Sequence, residues 1–250
     1  MILILYKNKD SKCTLALNEL NKYGNIIFKE YFVPEIKERD TYEGVFILGT
    51  EDESVINGWV GTPHLRVCAD EKELLEEVKF LLGIPVPLEI ERKYLIEYPD
   101  LNYLESLENC KAVMITQTYI EPQNGEKYRV RKRGSSGFFT CFHTVKRLIG
   151  GFKRVEEEKI ITEEEYISYL NEENAEKIQL SKTRYCLMYE NKYFEIDIFP
   201  FWQDKAYIEI ELKSEDEEVC LPPFIKLIKD VSEDRSYSNL SLAKIYGKVL

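Results

Sequence analysis

Residues 88–96 read LEIERKYLI, and their polarity alternates. Successive side chains of an extended chain point to opposite faces, so Leu88, Ile90 and Tyr94 share one side while Glu89, Glu91 and Lys93 share the other. A single strand of this kind is ordinary, because an antiparallel sheet with one wet face shows the same pattern. Its recurrence is not ordinary. In EKYRVRKRG, Arg129 and Arg131 share a face opposite Tyr128 and Val130, and in KRVEEEKII the residues Arg154, Glu156 and Glu158 fall together. SKTRYCL pairs Lys182 with Arg184, and KYFEIDIF sets Glu195 and Asp197 against Phe194, Ile196 and Ile198. AYIEIELKS sets Glu209, Glu211 and Lys213 against Ile208, Ile210 and Leu212, and Lys146 lies in FFTCFHTVKR.

A solvated sheet face would mix in Ser, Thr, Asn and Gln, whereas these positions are almost wholly ionisable and carry both signs. The pattern predicts an α+β chain whose C-terminal part is an antiparallel β-barrel of about eight strands, with the charged face inward and flanking helices over the apolar face. Charges enclosed in this way must be paired or must bind ions. Arg and Lys then offer donors to phosphate oxygens, and clustered carboxylates offer hard ligands to Mg²⁺ or Mn²⁺. With only two histidines and no CxxC pair among six cysteines, an imidazole-rich or zinc site is excluded.

The run GIPVP at 83–87 follows the helical pattern EKELLEEVKFLL and breaks the chain into two expected domains, 1–85 and 86–250. Before the break, strands at 2–6, 26–32, 44–48 and 65–68 alternate with helices at 12–23 and 70–82, which predicts a small α/β domain with a short parallel sheet. After it, short helices are expected near 101–107, 163–171, 222–229 and 238–247, with Thr162 and Glu165 forming a capping box. A hydrophobic content of 44% is enough for a real core. The net charge of −11 is spread over both parts, so neither nucleic acid nor an anionic membrane is an expected partner. MILILYKNKD fits neither a signal peptide nor a membrane span, and the cysteines read as reduced thiols, so a cytoplasmic location is expected.

Glu89-Ile90-Glu91-Arg92-Lys93 matches an ExExK signature. Together with the ordered RVR, VKR, RVEEE, KTRY, FEIDIF and IEIELKS and the closing DRS and YSNLSLA, residues 88–245 resemble the CYTH superfamily, the triphosphate tunnel metalloenzymes, which include thiamine triphosphatase-like members. The resemblance implies a Mg²⁺- or Mn²⁺-dependent triphosphatase acting inside a charged tunnel. Its substrate would be a small triphosphate, with inorganic tripolyphosphate ahead of nucleoside or thiamine triphosphates. It further implies metal ligands at Glu89, Glu91, Glu209 and Glu211, joined by Asp197, Glu156 and Glu158. Triphosphate would be bound by Lys93, Arg129, Arg131, Lys146, Arg154, Lys182 and Arg184, and the catalytic set would be Glu89, Glu91, Lys93, Lys182, Glu209 and Glu211. Lys213 continues the inward face, Glu195 is expected to pair with a tunnel lysine, and Tyr237 to pack. A class IV-type adenylate cyclase and a non-hydrolytic binding module remain as alternatives on the same scaffold.

Residues 1–85 resemble part of a P-loop domain, in MILILYKNKDSKCTLALNEL, in YFVPE and in GWVGTPHLRV. The loop KNKDSKCT lacks the glycines that let backbone N–H groups wrap a phosphate, so a degenerate remnant without kinase activity is expected, serving packing, dimerisation or partner binding. A homodimer stays open. A glutaredoxin-like reading through Cys13 lacks its CxxC.

Overall fold

The computed structural model describes the chain apart from residues 8–9, 40, 50–51, 85–87, 123–126, 151–152, 173–174, 213 and 215, and apart from the side chains of 11, 36, 88–89, 147–150 and 153–156. The first unit runs β1 (Ile2–Tyr6), α1 (Ser11–Leu20), β2 (Ile26–Glu30), α2 (Ile36–Arg39), β3 (Gly44–Leu48), α3 (Glu53–Trp59), β4 (Leu65–Cys68) and α4 (Glu71–Leu81). Its four strands form a parallel sheet in the order β2-β1-β3-β4. The strands are almost wholly apolar because both faces are covered. Ile2, Ile4 and Phe46 pack beneath Leu17 and Leu20 of α1 and Leu74 and Val78 of α4. Leu3, Leu5, Val45 and Ile47 pack on the other side with Val55, Ile56 and Trp59 of α3. Asp10, Asp52 and Asp70 cap α1, α3 and α4 by accepting a first-turn N–H. At α1, where the phosphate-loop remnant was expected, the Asp10 carboxylate accepts the Cys13 N–H at 2.8 Å. A negative group of the chain itself thus holds the helix end that an anion would need.

The rest of the chain supplies β5 (Leu88–Glu97), α5 (Leu101–Ser106), β6 (Cys110–Pro122), β7 (Tyr128–Ser135), β8 (Phe138–Gly150), β9 (Lys153–Ile161), α6 (Glu163–Leu170), β10 (Ala175–Tyr189), β11 (Lys192–Ile198), β12 (Lys205–Glu211), β13 (Leu227–Asp230), α7 (Asn239–Tyr246) and β14 (Lys248–Val249). These strands make one ten-stranded antiparallel sheet, in the path β11-β12-β5-β9-β8-β7-β6-β10-β14 with β13 alongside β5. β10 also pairs with β11, from Thr183↔Ile198 to Tyr189↔Lys192. Two hairpins close on residues at positive φ, Ser136–Gly137 and Glu190–Asn191, as tight turns matching strand twist require. Thr162 and Glu165 form the expected capping box at α6.

Strand register carries the alternation from one strand to the next. Glu91 stands opposite Glu211 and Lys93 opposite Glu209, Glu209 opposite Glu195, and Arg184 opposite Asp197. Arg131 faces Gln117 on one side and Phe142 on the other, and Thr144 faces Glu158. One face therefore gathers the charged positions of eight strands, and the opposite face gathers Ile90, Ile96, Phe194, Ile196, Ile208 and Ile210 into a core with Leu104 of α5.

The charged face turns apolar at both ends of its strands. At one end Val113, Ile115, Cys186, Met188 and Tyr193 pack against Leu3, Val45, Trp59 and Val60 of the first unit. At the other, Leu95, Leu180 and Tyr207 pack with Phe199, Trp202, Val231 and Leu242 and Ala243 of α7. The charges occupy a band between two dry belts, which limits their access to water.

The structure departs from the sequence expectation at several elements, the short α2 and β14 among them. The helix expected at 222–229 is instead a turn, with the Ile225 N–H donating to the Pro222 carbonyl at 2.9 Å, followed by strand β13. β13 pairs with Leu95 and Ile96 of β5, beyond the Leu88–Ile90 stretch that β9 covers, so an open backbone edge decides its conformation over local propensity. Helix α3 was not anticipated, because ESVINGW is short and holds β-branched residues and Gly58; its Asp52 cap and the burial of Val55, Ile56 and Trp59 stabilise it.

The docking of the first unit rests partly on one hydroxyl. Tyr193 Oη donates to the Thr62 carbonyl at 2.8 Å and accepts from the Gly61 N–H at 3.3 Å, both buried. Tyr193→Phe is expected to lower stability by about 1–3 kcal/mol, seen as a lower denaturant midpoint at unchanged slope; an unchanged midpoint would show that this contact holds nothing.

Candidate active site

A cavity of about 330 Å³ opens onto the charged band, within the size range of small-molecule pockets. Strands β7, β8 and β10 bring cations to it, as Arg129, Arg131, Arg133, Lys146, Lys182 and Arg184. Strands β5, β11 and β12 bring carboxylates, as Glu91, Glu195, Glu209 and Glu211, with Glu158 from β9. β6 contributes the neutral Gln117 and Tyr119, whose side chains hydrogen-bond at 3.1 Å, with Glu121 near its end.

Arg184 organises the carboxylate side. Its Nε and Nη2 donate to the two Asp197 oxygens at 2.6 and 2.7 Å, its Nη2 also reaches Glu209 at 2.7 Å, and its Nη1 meets Glu195. Lys182 Nζ takes the same Asp197 carboxylate, which is completely buried. Burial and the neighbouring Arg184 charge bring the Lys182 ammonium down to about 8, against the pull of Asp197 and Glu209. Glu209 is held well below the usual carboxylate range: burial opposes its charge, but Lys93 at 2.7 Å, Lys182 and Arg184 outweigh it.

Glu158 anchors the other side. It accepts from Arg131 at 2.6 Å, Thr144 at 2.6 Å and Arg129 at 3.3 Å. Burial raises its pKa, yet Arg131 and Arg129 bring it down to about 2. Arg131 lies on the Phe142 ring at 4.9 Å, and its Nε is buried with no hydrogen-bond partner among the described residues. Burial, and then Arg129, Arg133 and Arg184, pull its pKa below the ordinary guanidinium value against the opposing charge of Glu158.

Of the residues singled out from sequence, Glu91, Lys93, Arg129, Arg131, Lys146, Glu158, Lys182, Arg184, Glu209 and Glu211 line this one cavity. Asp197, expected among the metal ligands, does not line it; with both oxygens engaged, it fixes Lys182 and Arg184 from beneath. Glu195 meets Arg184 rather than a lysine. Tyr237 packs against Tyr207 at 6.2 Å. The side chains of Glu89, Arg154 and Glu156, and the whole of Lys213, lie outside the described residues.

Among the lining residues that escaped the sequence reading are Arg133, His64 and Arg66. Arg133 continues the 129, 131 alternation one step further and is 1% exposed, so its signal was present. His64 and Arg66 come from the first unit, where nothing local marks them. Arg66 Nη2 donates to Glu211, and His64 Nδ1 stands 3.6 Å from the same carboxylate. Burial resists the Glu211 charge, but Arg66 and His64 bring its pKa down to about 2.

The chemistry of this carboxylate edge suits a hard divalent cation. Glu91 and Glu211 are like charges directly across a strand pair, an arrangement that is unfavourable unless a cation serves them, and every carboxylate donor is oxygen. Among the described residues no three of His, Cys, Asp or Glu converge closely enough to hold an ion. Lys93, Arg184 and Arg66 engage Glu91, Glu209 and Glu211 respectively.

No family model matches the sequence, and no curated protein matches it. Similar solved structures include the hypothetical protein NE1496, 28% identical, covering 62% of this chain and 97% of that one at a TM-score of 0.40. The inorganic triphosphatase NE1496 is 26% identical, covering 62% and 93% at a TM-score of 0.37. The PH1012 protein from Pyrococcus horikoshii OT3 is 20% identical, covering 50% and 80% at a TM-score of 0.38. Similarity this partial leaves the chemistry to be argued from the chain's own residues.

Glu158 gives the site an acid limit. Its folded-state pKa of about 2 lies below the ordinary 4.5, so its stabilisation is complete above pH 4.5 and is lost as pH falls toward 2, on the order of a few kcal/mol. Glu158→Gln is expected to lower stability at pH 7 and to flatten this acid loss in denaturation measured from pH 7 to 2. An acid limb as steep as that of the parent would assign the loss to other carboxylates.

Proposed function

We propose that the chain is a metal-dependent triphosphatase, hydrolysing a small triphosphate to diphosphate and phosphate, with inorganic tripolyphosphate as the first candidate substrate. One observation carries this reading: across a single cavity a guanidinium and ammonium wall, in which the Arg131 Nε has no acceptor among the described residues, faces a wall of oxygen donors. The resemblance of the strand motifs to the CYTH superfamily supports it. The circuit of pairings from β5 through β9, β8, β7, β6, β10, β11 and β12 back to β5 supports a closed eight-stranded tunnel.

In this reading Arg129, Arg131 and Lys146 bind the phosphate chain, Arg131 being able to donate through a planar fork. Lys182 adds an ammonium whose charge is retained below about pH 8. Asp197 and Glu158 hold these cations in place before substrate arrives, so little reorganisation is needed when charge moves in the transition state. Glu91 and Glu209, with Glu89, would hold Mg²⁺ or Mn²⁺, while Glu211, expected from the sequence as a further ligand, stands beside them engaged by Arg66. The ion would supply Lewis acidity toward a phosphoryl oxygen and acidify a water. The two apolar belts keep bulk water from weakening these charges. The cysteines, five of them buried thiols, support a reducing compartment and so the cytoplasm.

Incubation with tripolyphosphate, nucleoside triphosphates or thiamine triphosphate and Mg²⁺ or Mn²⁺ is expected to release phosphate. Glu91→Gln should lower kcat by about 100-fold or more, whereas Arg131→Ala should chiefly raise KM, by about tenfold or more. Cyclic AMP and diphosphate from ATP in place of phosphate, or tight binding of every triphosphate without turnover, would overturn the reading.

A further inference from the structure

The first unit reaches the cavity through β4. From that strand Arg66 extends between two carboxylates, its Nη2 on Glu211 of β12 and its Nε 3.4 Å from Glu77 of α4, while its Nη1 donates to the Leu65 carbonyl at 3.1 Å. Glu77 and Arg66 are both largely buried, at 7% and 19% side-chain exposure. Behind the pair lies a second hollow of about 270 Å³, bordered by Glu73, Glu77 and Phe80 of α4, and Arg66 and Glu211 border both hollows. Arg66 is thus clamped in the partition, with its charge directed at one member of the Glu91/Glu211 like-charge pair.

We infer that Arg66 is a resident cation that takes the place of a divalent ion at Glu211, so that the first unit sets how many metal ions the cavity accepts. This rests on the proposed role of Glu91 and its neighbour Glu209 as the metal-holding carboxylates, beside which Glu211 stands. A guanidinium keeps its charge at any working pH, so unlike a lysine it cannot vacate the carboxylate by losing a proton. A second cation at Glu211 would have to displace Arg66 from both clamps or lie against its charge. Arg66 is here a positioning residue: it fixes Glu211 and confines metal binding to the Glu91 side of the edge.

Equilibrium Mn²⁺ binding, read from the free-ion resonance in the absence of any phosphate, tests this without turnover. Arg66→Met is expected to bind one more Mn²⁺ per chain than the parent, or its weakest ion at least tenfold tighter, and Glu211→Gln in that background should abolish the gain. Arg66→Lys should keep the parental number. Arg66→Gln, which retains hydrogen bonding without the charge, gives the same reading should Arg66→Met not fold. The parent alone also decides: an ion lost on Glu211→Gln in the otherwise unaltered chain would show Glu211 already ligating metal and would overturn the inference. So would equal number and affinity in the parent and the Arg66 variants. Failure of the parent to hydrolyse any triphosphate while these counts hold would remove the proposed activity and leave Arg66 as the resident cation. Hydrolysis with unchanged counts would do the reverse.

Discussion

Everything in this molecule depends on ionised side chains being enclosed by a sheet whose two ends are dry. Taking a carboxylate or guanidinium out of water costs several kcal/mol after relaxation, and removing one partner of a buried pair costs about 3–5 kcal/mol. Each inward charge must therefore be matched in place. The Arg184, Asp197, Glu209, Glu195 and Lys182 cluster and the Glu158, Arg131, Arg129 cluster are two local solutions of that constraint. Both leave a remainder: among the described residues the Arg131 Nε has no acceptor, and the acidic edge sets Glu91 opposite Glu211. Opposite charges gathered on facing walls of one cavity are what distinguish a binding site from a salt-bridged core.

Alternation in the sequence made the strands legible, since period two reports which residues share a face. It placed Glu91, Lys93, Arg131, Lys182, Arg184, Glu209 and Glu211 together before any register was known. It could not report partners, which is why Asp197 looked the same as its neighbours although both its oxygens are spent on Lys182 and Arg184. It was also silent on β13, whose conformation follows from an unclaimed edge of β5 and not from its own residues. The parallel sheet of the first unit was readable from its apolar runs, but the contribution of that unit to the cavity was not. His64 and Arg66 are unremarkable in GTPHLRV and acquire meaning only when β4 is brought beside β12.

The first unit is accordingly better understood from its contacts than from its ancestry. Its α1 end is held by Asp10, while its opposite sheet face covers the apolar end of the charged band through Leu3, Val45, Trp59 and Val60. Those residues exclude water from one end of the cavity, and Arg66 reaches past them to the carboxylates. Electrostatics and packing are joined on one short strand, where Leu65 and Val67 are buried on one side and Arg66 projects on the other.

That shared core also sets an order on how the molecule is made. The covering partners of Leu3 and Val45 are Val113, Ile115, Cys186, Met188 and Tyr193, which lie far downstream, so they leave the ribosome long after the first unit has been synthesised. Until β10 and β11 emerge, that unit presents an apolar sheet face covered only in part by α3, the kind of surface through which nascent chains aggregate. The last strand of the circuit, β12, must then find β5 across more than a hundred residues, a distant pairing of the sort that slows folding. The wall that keeps water from the charges is thus built first and put to use last.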